Sequence, residues 1–239
     1  MALSGLSGLS GLSGLGIGTA APGTATVTLT ASEEWSPAGV TGANPLLPLV
    51  FRLYGNGGNG GTLPGGGNGG CGGGGGAFVT GSRAVWTLED SFACTIGTPG
   101  VPGTSVLGNT PTVSDVSVLA GGGEDAGLFI GGLGSTTYLT NGLTSATTYA
   151  GGDGGTSIGA NGAGGGSSGS VGGAGDSGGE FGAGGTAATA DGGNGGEGGP
   201  SDGSPGNSPG GGGSGAGDGF LAPGDGANGR VVILVPTLT

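Results

Sequence analysis

Bulky apolar side chains in this chain come in a few short runs, separated by long stretches that hold almost none. Residues 24–30 (TATVTLT) set Val27 and Leu29 between threonines, the alternation of a strand with one buried face. Leu49–Tyr54 (LVFRLY) is a second strand by the same pattern. Residues 84–88 (AVWTL) and 91–96 (SFACTI) read as a hairpin that turns at Glu89 and Asp90, and residues 97–103 as a Pro/Gly turn. Residues 115–119 (DVSVL) alternate again. Leu128, Phe129 and Ile130 suggest a short strand, and the Thr/Tyr-rich piece up to residue 149 a loop. Residues 230–235 (RVVILV) form a continuous apolar run, expected centrally in a small sheet. No segment has the pattern of an amphipathic α-helix.

Glycine fills the spaces between. In residues 151–219, 33 of 69 positions are glycine, and the only bulky apolar side chains are Ile158, Val171 and Phe181. Composition alone would suggest a flexible linker. The spacing suggests more. Gly166, Gly169, Gly172, Gly175 and Gly178 fall three apart, as do Gly159, Gly162 and Gly165, then Gly179, Gly182 and Gly185, then Gly193, Gly196 and Gly199. A first block carries two more such registers, from Gly66 to Gly75 and from Gly67 to Gly76. Three residues per turn is the repeat of the polyproline II helix, whose outward backbone groups need partners. Glycine at every third position lets a second such helix come close enough to supply them. The expected fold is therefore mainly β with irregular structure: a small β-sheet unit rooting a packed array, or sandwich, of polyglycine II helices, with little or no α-helix. A valine at Gly172 is expected to disturb that packing.

Residues 2–18 (ALSGLSGLSGLSGLGIG) keep the same step with a different side chain. On a threefold helix, Leu3, Leu6, Leu9, Leu12 and Leu15 share one ridge, with the serines and glycines on the other two. Burying one leucine is worth roughly 1.5–3 kcal/mol, so such a ridge could anchor the segment to another subunit. A floppy tether is the competing reading. The chain divides into residues 1–23, an extended arm for anchoring and assembly, and residues 24–239, the glycine-rich domain.

Composition then removes whole classes of function. The chain has no His and no Lys, only three arginines (Arg52, Arg83 and Arg230), and a net charge of −12. That argues against nucleic-acid binding and against docking on an anionic membrane. No apolar run reaches the ~18 residues of a membrane span, and no ordinary signal peptide is visible. A Ser-His-Asp triad, a Schiff-base lysine and a P-loop all lack a necessary residue. Adjacent carboxylates such as Glu33 and Glu34, Glu89 and Asp90, or Glu124 and Asp125 read as solvated turn residues. No cofactor is expected; a structural Ca²⁺ held by backbone carbonyls and scattered Asp stays open but unsupported. Cys71 and Cys94 are the only cysteines and could pair or remain buried thiols.

The order of the pieces adds one more reading. WSPAGV at residues 35–40 is followed by LVFRLYGNGGNGG at 49–61, GGGNGGCGGGGGAF at 65–78, TIGTPG at 95–100, VSVLAGGG at 116–123 and GANGRVVILV at 226–235. This order resembles the glycine-rich domain of tailed-phage structural and tail proteins, and covers roughly residues 24–235. It is similar to tail-fibre tip adhesins, in which glycine runs pack as a polyglycine II sandwich and exposed loops touch the host receptor. The resemblance implies that loops between glycine runs carry recognition, with Thr156, Ile158, Thr186, Thr189, Asp191, Ser201, Asp202 and Ser208 as candidates. The Leu-Ser-Gly arm is a departure, since such adhesins carry a folded attachment domain there. The expected function is a non-enzymatic virion protein of a tailed phage, a tail-fibre or tail-tip adhesin or a capsid decoration. It would be docked by its arm and homo-oligomeric, with other virion subunits and a host surface receptor as partners. The alternative is a self-assembling subunit of a bacterial extracellular filament or surface layer.

Overall fold

The computed structural model describes residues 22–238 except 66, 102 and 220; the arm, with Leu3, Leu6, Leu9, Leu12 and Leu15, lies outside the described residues. Among the described residues, ten strands build two five-stranded antiparallel sheets. The first sheet takes β1 (Pro22–Leu29), β10 (Arg230–Leu238), β3 (Leu49–Tyr54), β4 (Phe78–Arg83) and β9 (Thr144–Tyr149), in that spatial order. The second takes β2 (Glu33–Trp35), β5 (Phe92–Thr95), β6 (Thr104–Gly108), β7 (Ser117–Ala120) and β8 (Tyr138–Asn141).

Alternation along the strands explains why the sheets face each other. Leu49, Phe51 and Leu53 of β3 and Val231, Ile233 and Val235 of β10 point inward and are fully buried. Phe92, Val106 and Val118 meet them from the second sheet, with the Phe51 and Phe92 rings 5.2 Å apart edge to face. Thr24, Thr26 and Thr28 occupy the solvent face of β1. The apolar run at the C-terminal end of the chain lies between β1 and β3, as its hydrophobicity requires.

Several expected elements differ. Residues 84–88 form a loop because Trp86 turns inward, is almost fully buried, and donates its indole N–H to the Leu47 carbonyl at 2.8 Å. Asp90 is buried rather than solvated, accepting from the Thr87 N–H at 2.7 Å and the Thr110 hydroxyl at 2.6 Å. Leu128, Phe129 and Ile130 are in no strand, whereas the Thr/Tyr-rich piece after them supplies β8 and β9. Cys71 and Cys94 are separate free thiols, both buried, one in a glycine segment and one between the sheets.

Glycine-rich chain leaves the sandwich after β3, β7 and β9 and re-enters at β4, before β8 and at β10, making twelve extended passes. In chain order these are residues 55–61, 69–77, 121–126, 131–135, 150–156, 162–169, 175–179, 182–186, 193–199, 203–207, 210–217 and 222–229. The sixth pass shows how they bond. Its N–H groups at 163, 166 and 169 donate to Gly70, Gly73 and Gly76 of the second pass; those at 162, 165 and 168 to Gly199, Gly196 and Gly193 of the ninth; those at 164 and 167 to Gly179 and Asp176 of the seventh. Its carbonyls accept from Gly155 and Gly152 of the fifth, Gly185 of the eighth, and Gly215 and Gly212 of the eleventh. Its N–H groups point in three directions and its carbonyls in three others, each repeating every three residues, as a packed polyglycine II array requires.

The second, sixth and eleventh passes are buried along their whole lengths and bond to one another. Three mutually touching rods in hexagonal packing have nine positions around them. The other nine passes fill those positions in a closed ring, each bonded to the next: first, third, fourth, fifth, seventh, eighth, ninth, tenth, twelfth, and back to the first. On the ring, side chains point outward at the same step of three, as with exposed Asn194 and Glu197, or Ala222, Asp225 and Asn228. The five-glycine register from Gly166 to Gly178 is not one rod. The chain reverses at 170–173, where Ser170 and Gly173 form a bridge, and Gly172 sits in that turn.

Candidate functional site

Because successive passes alternate in direction, their connections collect at two ends. The near end carries the sandwich and the turns 170–174, 187–192 and 208–209. The far end carries only loops: 62–68, 127–130, 157–161, 180–181, 200–202 and 218–221. Glycine rods offer little room for large side chains: Leu63 is buried, but five other apolar residues of the far-end loops stay in water. Leu128, Phe129, Ile130, Ile158 and Phe181 are all exposed, Phe129 by 71% and Phe181 by 74%. These loops lie side by side, since the fourth pass bonds to the fifth and the fifth to the seventh. The far end thus presents a row of apolar loops along one side, a feature that marks interaction surfaces.

That row sits in a one-signed field. Residues 55–77, 121–135 and 150–229 contain no Lys, Arg or His, but carry Glu124, Asp125, Asp153, Asp176, Glu180, Asp191, Glu197, Asp202, Asp218 and Asp225. Lys, Arg and His being absent, the array has no charge of its own to offset these. A surface that is apolar in the middle and acidic around favours a partner with apolar and basic groups. Among the described residues, no group of three or more His, Cys, Asp or Glu could hold a metal ion.

The eight residues expected to form one recognition surface separate between the two ends. Ile158 is exposed at the far end, and Thr156 is half-buried just below it, its hydroxyl 3.4 Å from the Gly131 N–H. Ser201 and Asp202 are also at the far end, where Asp202 accepts from the Ala222 N–H at 3.0 Å. Thr186, Thr189, Asp191 and Ser208 are at the near end, three of them around an open cleft of about 520 Å³ lined also by Asn194 and Asn207. Leu128, Phe129, Ile130 and Phe181 were absent from the expected set. Their signal was available, as bulky apolar residues isolated between glycine triplets.

Asp191 latches the array to the first sheet. Its carboxylate accepts from the Tyr54 and Thr189 hydroxyls and from the Val171 N–H at 3.4 Å. Arg230 lies over the Tyr54 ring at 4.8 Å and donates to the Asp191 carbonyl at 2.8 Å, so sheet and array are tied at one point. Burial alone would raise the Asp191 carboxyl; hydrogen bonds from Thr189, Tyr54 and Val171 outweigh it and hold it below its ordinary value. Burial, then the bond to Asp191 and its charge, push the Tyr54 phenol up. A lowered carboxyl contributes stability that is present above its unfolded value, about pH 4, and lost as pH falls through the native value. A raised phenol makes stability fall as pH rises past about 10, where the unfolded tyrosine ionises. Denaturant melts across pH should show both limbs, and Asp191→Asn should flatten the acid limb. An unchanged acid limb would show that the latch does not contribute. Cys94, pushed up to about 12 by burial and then by Glu33, stays a neutral thiol at ordinary pH.

One more relation fixes the polarity of the molecule. Arg230 pairs with Tyr54 beside the array, while Pro22 pairs with Leu238 at the other end of the same sheet. The chain therefore enters the fold at the pole farthest from the far-end loops. The sequence matches no protein-family model and no curated protein.

Proposed function

We propose that this protein is a non-enzymatic display protein of a tailed-phage virion, an adhesin or surface decoration held at one pole and binding its target at the other. The opposition of the arm root at Pro22 to the apolar loops at Leu128, Phe129, Ile130, Ile158 and Phe181 carries this reading. A rod-packed array with its connections gathered at the ends holds recognition loops away from the anchor, and those loops can vary without disturbing the rods. The partners are then the virion subunits that take the arm and a host surface receptor that takes the tip.

The test is binding of labelled protein to a panel of bacterial strains. Phe129→Ser combined with Phe181→Ser removes two exposed aromatics without touching a buried group. Loss of two buried apolar anchors corresponds to about 100-fold weaker binding, with the melting temperature unchanged. Equal binding by the variant to a strain that takes the wild type would rule out the tip as the recognition surface.

A further inference from the structure

The pole around Pro22 is itself apolar. Leu46 is 89% exposed, Val85 63%, Leu238 60% and Leu88 42%. They belong to one patch of backbone. The Leu238 N–H donates to Gly42 at 2.9 Å and the Asn44 N–H to Pro236 at 2.8 Å, which lays the 40–48 loop along the end of β10. Trp86 donates to the Leu47 carbonyl at 2.8 Å, which brings the 84–88 loop against the other side of it. None of the four leucine and valine side chains takes part in the buried core between the sheets. They are four large apolar groups left in water, and Leu238 faces Pro22 across the β1–β10 pair.

The chain outside the described residues begins at this same spot and carries five leucines at a spacing of three. An apolar patch and an apolar ridge rooted beside each other satisfy the same need. β1 enters the sheet at Pro22 and runs inward, antiparallel to β10, so its first described residue stands at the pole, opposite Leu238. An exchange of arms between two copies would cover both patches in one isologous contact. We infer that the sheet pole is a self-association surface, in which the Leu3–Leu15 ridge of one copy seats on the Leu46, Val85, Leu88 and Leu238 patch of a second. This deepens the anchoring half of the display reading and rests on it. It makes the anchored unit a group of chains joined at their arm poles, with their far-end loops turned outward.

The full chain is expected to sediment as an oligomer at micromolar concentration. Leu46→Ser with Val85→Ser, and separately Leu6→Ser with Leu9→Ser, should each weaken association about tenfold or more per side chain removed. Positions 46 and 85 are exposed, so folding is not at stake, and an unchanged melting curve checks it. The contact itself is read by mixing one chain carrying Leu9→Cys with another carrying Leu46→Cys under mild oxidation. The two native cysteines are buried and add little background. A disulfide-linked pair of chains supports the inference. A monomeric wild type, a mixture that fails to link, or a link that forms only when both substitutions share one chain would overturn it, the last by assigning the patch to the chain's own arm. Positions 46 and 85 lie at the sheet pole, away from the tip, so cell binding by that variant reads the display proposal independently.

Discussion

Alanine at Gly166 is expected to destabilise the protein by about 4 kcal/mol or more, although it adds a single methyl group. Overpacking costs about 1–3 kcal/mol where neighbours can shift. Here the neighbours are backbone on every side. A Cβ at Gly166 would stand 2.6 Å from the Gly152 carbonyl carbon and 2.8 Å from the Asp153 oxygen, and closer still to the Gly152 oxygen. Relief means moving the fifth pass off the sixth, which breaks buried bonds that cost about 1–3 kcal/mol each when left unmade. Gly166 itself donates to Gly73 at 2.9 Å and accepts from Gly212 at 2.8 Å, so a shift of its own pass is no easier. Gly199→Ala is the matched control, with nothing within 4 Å of the added carbon, and should change stability by no more than about 0.5 kcal/mol. Gly172→Val should fall between them, because its Cβ meets only the Thr189 side chain at close range. Denaturant titration of the three variants decides the matter. Equal stability of Gly166→Ala and Gly199→Ala would mean that the passes are not in contact.

Phe92→Ala is expected to cost about 3–5 kcal/mol and to loosen the array as much as the sandwich. Phe92 is fully buried, with Trp35 5.8 Å away on its own sheet and Phe51 5.2 Å away on the facing one. The array has no core of comparable side chains, and its rods are rooted in the strands that this ring holds together. The chain crosses between the two parts beside Tyr54, Phe78, Ala120, Tyr138, Tyr149 and Arg230. Six covalent crossings and the Asp191 latch favour one cooperative transition over two. Hydrogen exchange at residues 163–168, the slowest amides expected, should accelerate by the factor that corresponds to the loss of global stability. If those amides keep their protection while the sandwich melts, the array folds as an independent unit.

The parts of this structure legible in the sequence are those governed by a period. Leu49–Tyr54 and the short apolar run after Arg230 have the length and β-branched or aromatic content of buried strands, and both are strands. The step of three in the glycine runs translates directly into bonds that repeat every three residues. Positions decided by one tertiary contact were not legible. Residues 84–88 have the side chains of a strand, yet Trp86 is drawn into the core by the Leu47 carbonyl. β8 and β9 carry few bulky apolar groups, and find their places by pairing with β7 and β4. The candidate site divides on the same principle. Loops between rods could be recognised, but which end each loop occupies depends on the direction of its pass. That separates Ile158, Ser201 and Asp202 from Thr186, Thr189 and Ser208. Asp191 has the look of a loop residue in sequence, and only the fold brings it to Tyr54, 137 residues away.

A bonding pattern that repeats every three residues has a consequence for how such a chain can change in length. A residue inserted into a pass turns everything after it by a third of a revolution, so donors that faced one neighbour now face another and glycines exchange places with side chains. An insertion of three restores the phase, at the cost of one more step along the axis. Lineages descended from this array should therefore differ by multiples of three within the passes, while the far-end loops, which have no phase to keep, can gain or lose any number. Alignments scored for indel size inside and outside residues 162–169 would show whether evolution has counted in threes.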